Sequence, residues 1–346
     1  MTWKLGGAAA ALLMVLGAAG YGAMGPDRLG DETRAAYRRP AAIPFPEENA
    51  YSLAKAELGR RLFFDPLLSG ERDRTCASCH NPDHAWGDSR ARAEARDGLA
   101  LPRRTPTLLN LAWQERLGWD GKFRDLDTVA FTPITSERMM NLPEAEALAR
   151  LAADPDYAKG FADAFPDPAV TRERVEAALA TFERLIVSPD APFDRWIAGD
   201  ETAVDAKAKH GFALFTGKAG CAACHSGWAF SDGSFHDIGS ATGEDIGRGK
   251  FFPNSPALRY AFKTPGLRQV TERGPYMHDG SVPTLEAVID LYNCGGIDRP
   301  SRSKDIRALA LSPGEKADIV AFLKTLSADK PARVAEGGFP ATAPQP

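Results

Sequence analysis

The sequence predicts a mainly α-helical protein with two small domains and long connecting loops. The chain has 346 residues, of which 44% are hydrophobic and 25% charged, and this is enough for two modest cores. A short pattern occurs twice, as Gly-Arg-Arg-Leu-Phe at 59–63 and as Gly-Phe-Ala-Leu-Phe at 211–215. Apolar residues recur at helical spacing in 174–188 and again in 314–327. Each half therefore carries an early and a late helix of its own.

The connecting segments are rich in glycine and proline, especially 232–256 and 265–283, and show no lasting two-residue alternation of the kind that marks strands. Loops of this length usually have a function. The Pro- and Asp-containing segment at 188–194 and the polar stretch near 198–207 predict a linker. The two domains that this linker would separate are expected at 45–190 and 200–330.

The N-terminus has the pattern of a secretory signal. Lys4 precedes a charge-free run from Leu5 to Met24 that is rich in Ala, Leu and Gly. Residues 1–24 are therefore expected to direct export to the periplasm. A retained N-terminal anchor is the alternative, because the run is about long enough to span a bilayer, and contact with a membrane is expected only in that case.

The charge pattern argues against nucleic acid as a partner. The formal net charge is −4, and the sequence contains no block of Lys and Arg. Mild acidity of this kind is ordinary for a globular protein and indicates no particular ligand.

Four of the five cysteines fall in two copies of the motif C-x-x-C-H, at 76–80 and at 221–225. Two thiols at this spacing can add to the two vinyl groups of one haem, and the next residue then directs an imidazole to the iron. Zinc sites and thioredoxin-type redox pairs also use C-x-x-C, but they do not require the following histidine. The sequence therefore predicts two covalent c-type haems in two class I cytochrome c-like domains. The predicted attachment and ligand residues are Cys76, Cys79, His80, Cys221, Cys224 and His225.

The fifth cysteine, Cys294, is interpreted as a small buried apolar residue.

The ligand on the other face of the first haem is not obvious from the sequence. His84 lies only four residues after His80 and is tethered to the same side of the porphyrin. Met139 and Met140 lie where a small cytochrome places its axial methionine, and either of them would close the iron. If neither binds, the first iron is five-coordinate and open to peroxide.

Eight segments, the two haem motifs among them, resemble the bacterial dihaem cytochrome c peroxidases and their MauG-type relatives, over roughly residues 45–330. The similarity is carried, in order, by LGRRLFFDPLLS (58–69), CASCHNP (76–82), RRTPTLLN (103–110), WDG (119–121), APFDRW (191–196), CAACH (221–225), TPGLRQV (264–270) and PYMHDGSVPTLEAVIDLY (275–292). The resemblance implies that His80 is the proximal ligand of the peroxide-reacting haem and that His225 binds the second, electron-transfer haem. It also implies that Trp119 lies between the haems and passes electrons.

Two features place the chain nearer the MauG-like branch of this resemblance. Typical peroxidases of the group have a loop histidine that caps the first iron, and this chain has none at that position. Tyr292 stands where the peroxidases have a methionine, and a phenolate ligand lowers the reduction potential and makes high-valent iron easier to reach. Met277 is the outside alternative to Tyr292 as a ligand.

Other family positions match less well. The distal glutamate of the family aligns with Met139, and Glu137 is the nearby carboxylate that could serve in proton transfer. The asparagine associated with an inter-haem calcium is replaced by Arg104, which puts that ion in doubt, although carbonyls near Arg273 and Pro275 remain available. His236 and His278 are interpreted as propionate or packing contacts.

The resemblance implies an exported dihaem enzyme that reacts with hydrogen peroxide and oxidises a partner protein, with a tryptophan of that partner as the candidate target. One alternative is a cytochrome c peroxidase supplied with electrons by a small cytochrome or cupredoxin. Another is an electron carrier without enzyme activity, with both irons closed by Met139 and Met277.

Overall fold

The computed structural model describes residues 29–328, so the predicted leader at 1–24 lies outside the described part. This part is mostly helical, as predicted, and none of its helices is long and apolar enough to cross a membrane. Its α-helices are α1 (Asp31–Tyr37), α2 (Leu53–Phe64), α3 (Phe131–Thr135), α4 (Glu144–Ala153), α5 (Pro155–Ala164), α6 (Arg172–Arg184), α7 (Pro192–Ala198), α8 (Ala206–Thr216), α9 (Leu285–Cys294) and α10 (Pro313–Lys324).

The first half is organised around the crossing of α2 and α6. Ser52 and Thr171 cap these helices, each by accepting a hydrogen bond from a backbone N–H in the first turn. The helices touch at Gly59, where an added Cβ would lie only 2.0 Å from the carbonyl oxygen of Ala178. Phe182 packs beside this contact and is fully buried. The glycine of the repeat is therefore needed for close approach of two backbones.

The second half repeats this crossing with α8 and α10. An added Cβ at Gly211 would lie 1.9 Å from the carbonyl oxygen of Asp318, and Phe322 occupies the position that Phe182 has in the first half. Ser312 and Glu315 form a capping box at the start of α10. The repeated sequence pattern thus produces the same helix pair twice.

Two apolar cores correspond to the two halves, but their division along the chain differs from the predicted linker. Helix α7 falls within the predicted linker region, yet Phe193, Trp196 and Ile197 are buried in the second core. Tyr37 of α1 joins the same core, with its ring centroid 5.2 Å from that of Phe212. Proline and aspartate mark the start of a packed helix here, because proline is well tolerated in the first turn.

The long glycine-rich segments fold mainly as turns, with one small sheet. The strands β1 (Phe235–His236) and β2 (Phe262–Lys263) pair antiparallel, so that Phe235 lies opposite Lys263. Strands of two residues leave no alternation for a sequence pattern to reveal.

Replacement of either crossing glycine by alanine should destabilise the holoprotein strongly. Gly59→Ala and Gly211→Ala each bring a Cβ into collision with a backbone carbonyl, so the helices must separate, and we expect a loss of about 3 kcal/mol. Chemical denaturation followed by circular dichroism measures this loss. Gly314→Ala is the matched control, because its nearest neighbour outside the adjoining residues is the Ser312 hydroxyl at 4.0 Å. Equal stability of the three variants would contradict the prediction.

Candidate dihaem site

The two C-x-x-C-H motifs fold in the same way. Each begins with a short 3₁₀ turn, Cys76–Ser78 in one half and Cys221–Ala223 in the other. The histidine N–H then donates to the carbonyl of the first cysteine, at 2.9 Å for His80 and 2.8 Å for His225. All four cysteines are free, and all four line one cavity together with both histidines. The thiols are thus available for addition to two haems.

Each motif histidine is oriented by a backbone carbonyl. The Nδ1–H of His80 donates to the carbonyl of Trp86 at 3.2 Å, and that of His225 donates to the carbonyl of Phe230 at 2.8 Å. Both carbonyls belong to residues with left-handed backbone, with φ of 60° at Trp86 and 56° at Phe230. Burial lowers the pKa of both imidazoles and keeps them neutral. The free Nε2 is then the atom able to bind iron.

The cavity is continuous between the two halves, with a volume of about 580 Å³. Its wall contains a buried guanidinium, because Arg268 is 1% exposed; its Nη2 pairs with the Asp194 carboxylate at 2.8 Å, whereas its Nη1 has no hydrogen-bond partner in residues 29–328. Arg104 and Arg273 also line it. An apolar cavity with buried guanidinium groups fits a large flat ring that carries carboxylates. The residues present therefore suit two haems.

Tyr292 of α9 lines the part of the cavity that holds the second motif. Burial and the nearby Cys221 and Cys224 raise the pKa of its hydroxyl, so formation of a phenolate requires a cationic partner such as ferric iron. Met277 also lines the cavity. Tyr292 and Met277, the two predicted candidates for a further ligand of the second haem, thus both lie in the cavity wall.

The region facing the first motif is built by α3 and the loop that follows it. Met139 and Met140 both line the cavity, and Met140 is buried. Glu137, by contrast, is exposed and is not part of the cavity wall. The chain turns here, because the N–H groups of Met139 and Asn141 both donate to the carbonyl of Ser136 at 2.9 Å. The structure does not bring Glu137 into the site. His84 is exposed at the cavity rim.

A different carboxylate, Glu183 of α6, does line the cavity. Burial raises the pKa of its carboxyl to about 8; the neighbouring Arg184 opposes this rise, and the Asp127 carboxylate adds to it. Sequence reasoning missed this residue. The signal was present, because Glu183 follows Val175 by eight positions and Leu179 by four, on the apolar stripe of the helix.

Trp119 is held between the two halves by backbone contacts. It lies in a tight turn closed by the pairing of Leu117 with Phe123. Its indole Nε1–H donates to the carbonyl of Arg104 at 3.1 Å, and its own carbonyl accepts from the N–H of Lys263 in β2 at 2.8 Å. Trp119 lines the cavity, as an electron relay between two haems would.

Arg104 occupies the region in which sequence reasoning left a calcium ion in doubt. Its Nη1 donates to the carbonyl of Arg273 at 2.7 Å, and its backbone N–H donates to the carbonyl of His278 at 2.9 Å. The Arg104 guanidinium therefore occupies the Arg273 carbonyl, which is one of the predicted candidates for a calcium ligand.

The remaining histidines are held by other contacts. His278 is buried and stacks on Phe262 with ring centroids 3.7 Å apart, and His236 bonds to Asp232 at 2.8 Å. Asp232 and His236 also lie close enough to Cys224 to form a metal site, but this cysteine belongs to the haem motif.

The prediction for Cys294 was wrong, since its side chain is exposed at the end of α9.

Together, the fold and cavity define a dihaem c-type cytochrome of the peroxidase class. Residues 53–202 match the family model for di-haem cytochrome c peroxidases. The chain is 51% identical to methylamine utilization protein MauG of Methylorubrum extorquens, over 86% of this chain and 84% of the relative. It is 33% identical to cytochrome-c peroxidase IdrP1 of Denitromonas iodatirespirans, over 84% and 85%. A solved MauG-like protein associated with microbial copper homeostasis superposes with a TM-score of 0.79 at 30% identity, over 86% and 96%.

The chain belongs to the di-haem cytochrome c peroxidase and MauG family. It is a peroxide-dependent dihaem oxidoreductase with two c-type haems.

Ionisation of Glu183 should make the folded protein less stable as the pH rises. In the unfolded chain this carboxyl titrates near 4.5, whereas in the folded protein it holds its proton to about pH 8. The unfolded chain therefore releases the proton first, and stability falls between these two pH values. Glu183→Gln should remove this part of the pH dependence of the melting temperature. The exposed Glu71→Gln is the control, and identical pH profiles for Glu183→Gln and the native protein would refute the assignment.

Proposed function

We propose that this protein is an exported, MauG-type oxidase that uses hydrogen peroxide to oxidise a side chain of a partner protein, with tryptophan as the candidate target. The observation that carries the proposal is Tyr292, which lines the cavity beside the second motif where a phenolate can bind iron. The 51% identity to a methylamine utilization protein MauG supports the same branch of the family. Export to the periplasm and the two cytochrome c-like domains at 45–190 and 200–330 are parts of the proposal.

The bound haems would supply the redox chemistry with peroxide, and the chain would supply their positions and surroundings. The cysteines of each motif would hold the ring covalently, and the Nε2 atoms of His80 and His225 would bind the iron. Met139 and Met140 give the first site an apolar wall that limits access of water. Glu183 can hold a proton at its carboxyl near neutral pH, because its pKa is raised to about 8. In this proposal, Glu183 takes the role in proton transfer that the sequence assigned to Glu137.

The electrons must come from outside the peroxide. Reduction of one hydrogen peroxide to two water molecules consumes two electrons and two protons, and the partner supplies the electrons. Trp119 would carry them between the two halves, because its aromatic ring lies in the cavity wall and shortens the gap that electrons must cross.

A cytochrome c peroxidase is the second candidate. It is favoured by the 33% identity to cytochrome-c peroxidase IdrP1 and by the presence of Met277 in the cavity wall. This candidate uses the same site and differs in its electron source, which would be a small cytochrome or cupredoxin.

Low-temperature EPR of the ferric holoprotein should give one high-spin and one low-spin haem, because in this proposal His80 alone would bind the first iron, whereas His225 and Tyr292 would both bind the second. Tyr292→Phe removes the phenolate oxygen and should alter the low-spin signal, while Tyr292→Met should raise the reduction potential of that haem. Tyr276→Phe is the control, because the Tyr276 hydroxyl donates to the Val270 carbonyl and should not bind iron. Two low-spin haems would mean that Met139 or Met140 caps the first iron.

Incubation with peroxide and a purified partner should separate the two candidates. For the protein oxidase, we expect stoichiometric oxidation of a tryptophan in the partner, detected by peptide mass spectrometry as a mass change that needs both haem protein and peroxide. Sustained consumption of peroxide with a reduced small cytochrome, without any mass change in protein, would overturn the proposal in favour of the peroxidase. Trp119→Phe should slow either reaction.

A further inference from the structure

Two adjacent phenylalanines are exposed next to the turn that holds Trp119. Phe251 and Phe252 are each 43% exposed; Phe251 ends a short 3₁₀ segment that begins at Arg248, and Phe252 comes directly after it. Contiguous apolar groups on a protein surface often mark a binding site. Aromatic side chains also contribute strongly to the binding energy of protein interfaces. We call Lys122, Arg248, Lys250, Phe251 and Phe252 the Phe251–Phe252 surface.

This surface is joined directly to the Trp119 turn. The guanidinium of Arg248 donates to the carbonyls of Asp120 and Gly121 at 2.9 and 3.3 Å, and the ammonium of Lys250 pairs with the Asp120 carboxylate. Arg248 also lies over the ring of Phe252, 5.0 Å from its centroid. The residue that precedes Asp120 is Trp119, whose indole lines the haem cavity. The Trp119 turn thus meets the cavity through Trp119 and contacts the segment that carries the exposed rings through Asp120 and Gly121.

The rim of the surface is positively charged. Lys122 is exposed, and neither Lys122 nor Arg248 has a carboxylate within ion-pair distance among residues 29–328. Arg116 also has no carboxylate within ion-pair distance among these residues. Burial lowers the pKa of Arg248, and the nearby charge of Arg116 lowers it further. The whole chain has a net charge of −4, so this local excess of cations stands out. Such a rim attracts an acidic partner and repels a second copy of itself.

We propose that the Phe251–Phe252 surface is the docking site for a partner protein with an acidic surface that contains an apolar patch. The phenyl rings would enter the apolar patch, and Lys122 and Arg248 would face the surrounding carboxylates. Docking at this point would bring the partner close to the turn that carries Trp119, because Arg248 and Lys250 contact that turn. This docking site rests on the proposed function in one respect, because it requires that a protein supply the electrons for reduction of peroxide.

Binding of two redox proteins of opposite charge tests the proposal. Isothermal titration calorimetry of the holoprotein with a reduced acidic cupredoxin should show binding that weakens with added salt, and a basic mitochondrial-type cytochrome c should bind more weakly. Phe251→Ser and Lys122→Glu should each raise the Kd for the cupredoxin about tenfold, as expected for loss of an interface anchor and reversal of a rim charge.

The matched controls are Leu99→Ser and Lys207→Glu, an exposed apolar residue and an exposed cation outside this surface, which should leave the Kd unchanged. Equal effects of the surface and control variants, or tighter binding of the basic cytochrome, would overturn the proposal. Competition by anionic phospholipid vesicles with the same variant dependence would also overturn it, in favour of a lipid surface.

A separate measurement distinguishes failure of docking from failure of the proposed function. Oxidation of a small organic donor by peroxide and the native holoprotein needs no docked protein. If this oxidation is absent while the cupredoxin binds as expected, the enzymatic proposal fails and the docking site stands. If the oxidation proceeds while the surface variants bind the cupredoxin normally, the docking proposal fails alone.

Discussion

The hydrogen bond from each motif histidine to a backbone carbonyl depends on the packing of an aromatic core. The carbonyls belong to Trp86 and Phe230, whose left-handed backbone costs about 1 kcal/mol in a residue with a side chain. Burial of their rings offsets that cost, because Trp86 packs against Phe182 and Phe230 packs against Phe322 at ring-centroid distances of 6.0 and 5.9 Å. Those two phenylalanines stand beside the glycine contacts of the helix crossings. The helix crossing therefore sets the direction of the imidazole.

Several directed polar contacts join the two halves close to Trp119. Arg103 of the first half bonds to Asp245 of the second at 2.6 Å and to Asp120 at 2.6 Å, and the Lys263 ammonium donates to the Gln114 side chain at 2.8 Å. Directed bonds of this type fix the relative position of the halves more strictly than apolar contact alone would. An electron relay needs a fixed distance, since transfer by tunnelling falls steeply with separation.

The features that could be predicted from the sequence are those that depend on short, strict sequence patterns. The haem motifs, the repeated helix pair and the mainly helical class follow from local spacing. The buried helix α7 did not, because its proline and aspartates resemble a linker until tertiary packing covers Phe193 and Trp196. The positions of Glu137 outside the cavity and of Glu183 in its wall have the same origin. Which carboxylate enters a cavity depends on how a loop turns, and that turn is set by two hydrogen bonds to Ser136.

The charges in the cavity wall link cofactor attachment to stability. Arg104, Arg273 and Lys263 line the cavity without a carboxylate within ion-pair distance in the described part of the chain. Burial lowers the pKa of all three, to about 10 for Arg273 and about 8 for Lys263, which means that their charged forms are poorly solvated there. Arg104 and Arg273 also repel each other. A haem brings carboxylates that neutralise such cations and an apolar ring that fills the surrounding space. Bound haem would thus offset the cost of burying these cations, which the polypeptide alone would bear. We therefore expect the native fold to be more stable with both haems in place than without them.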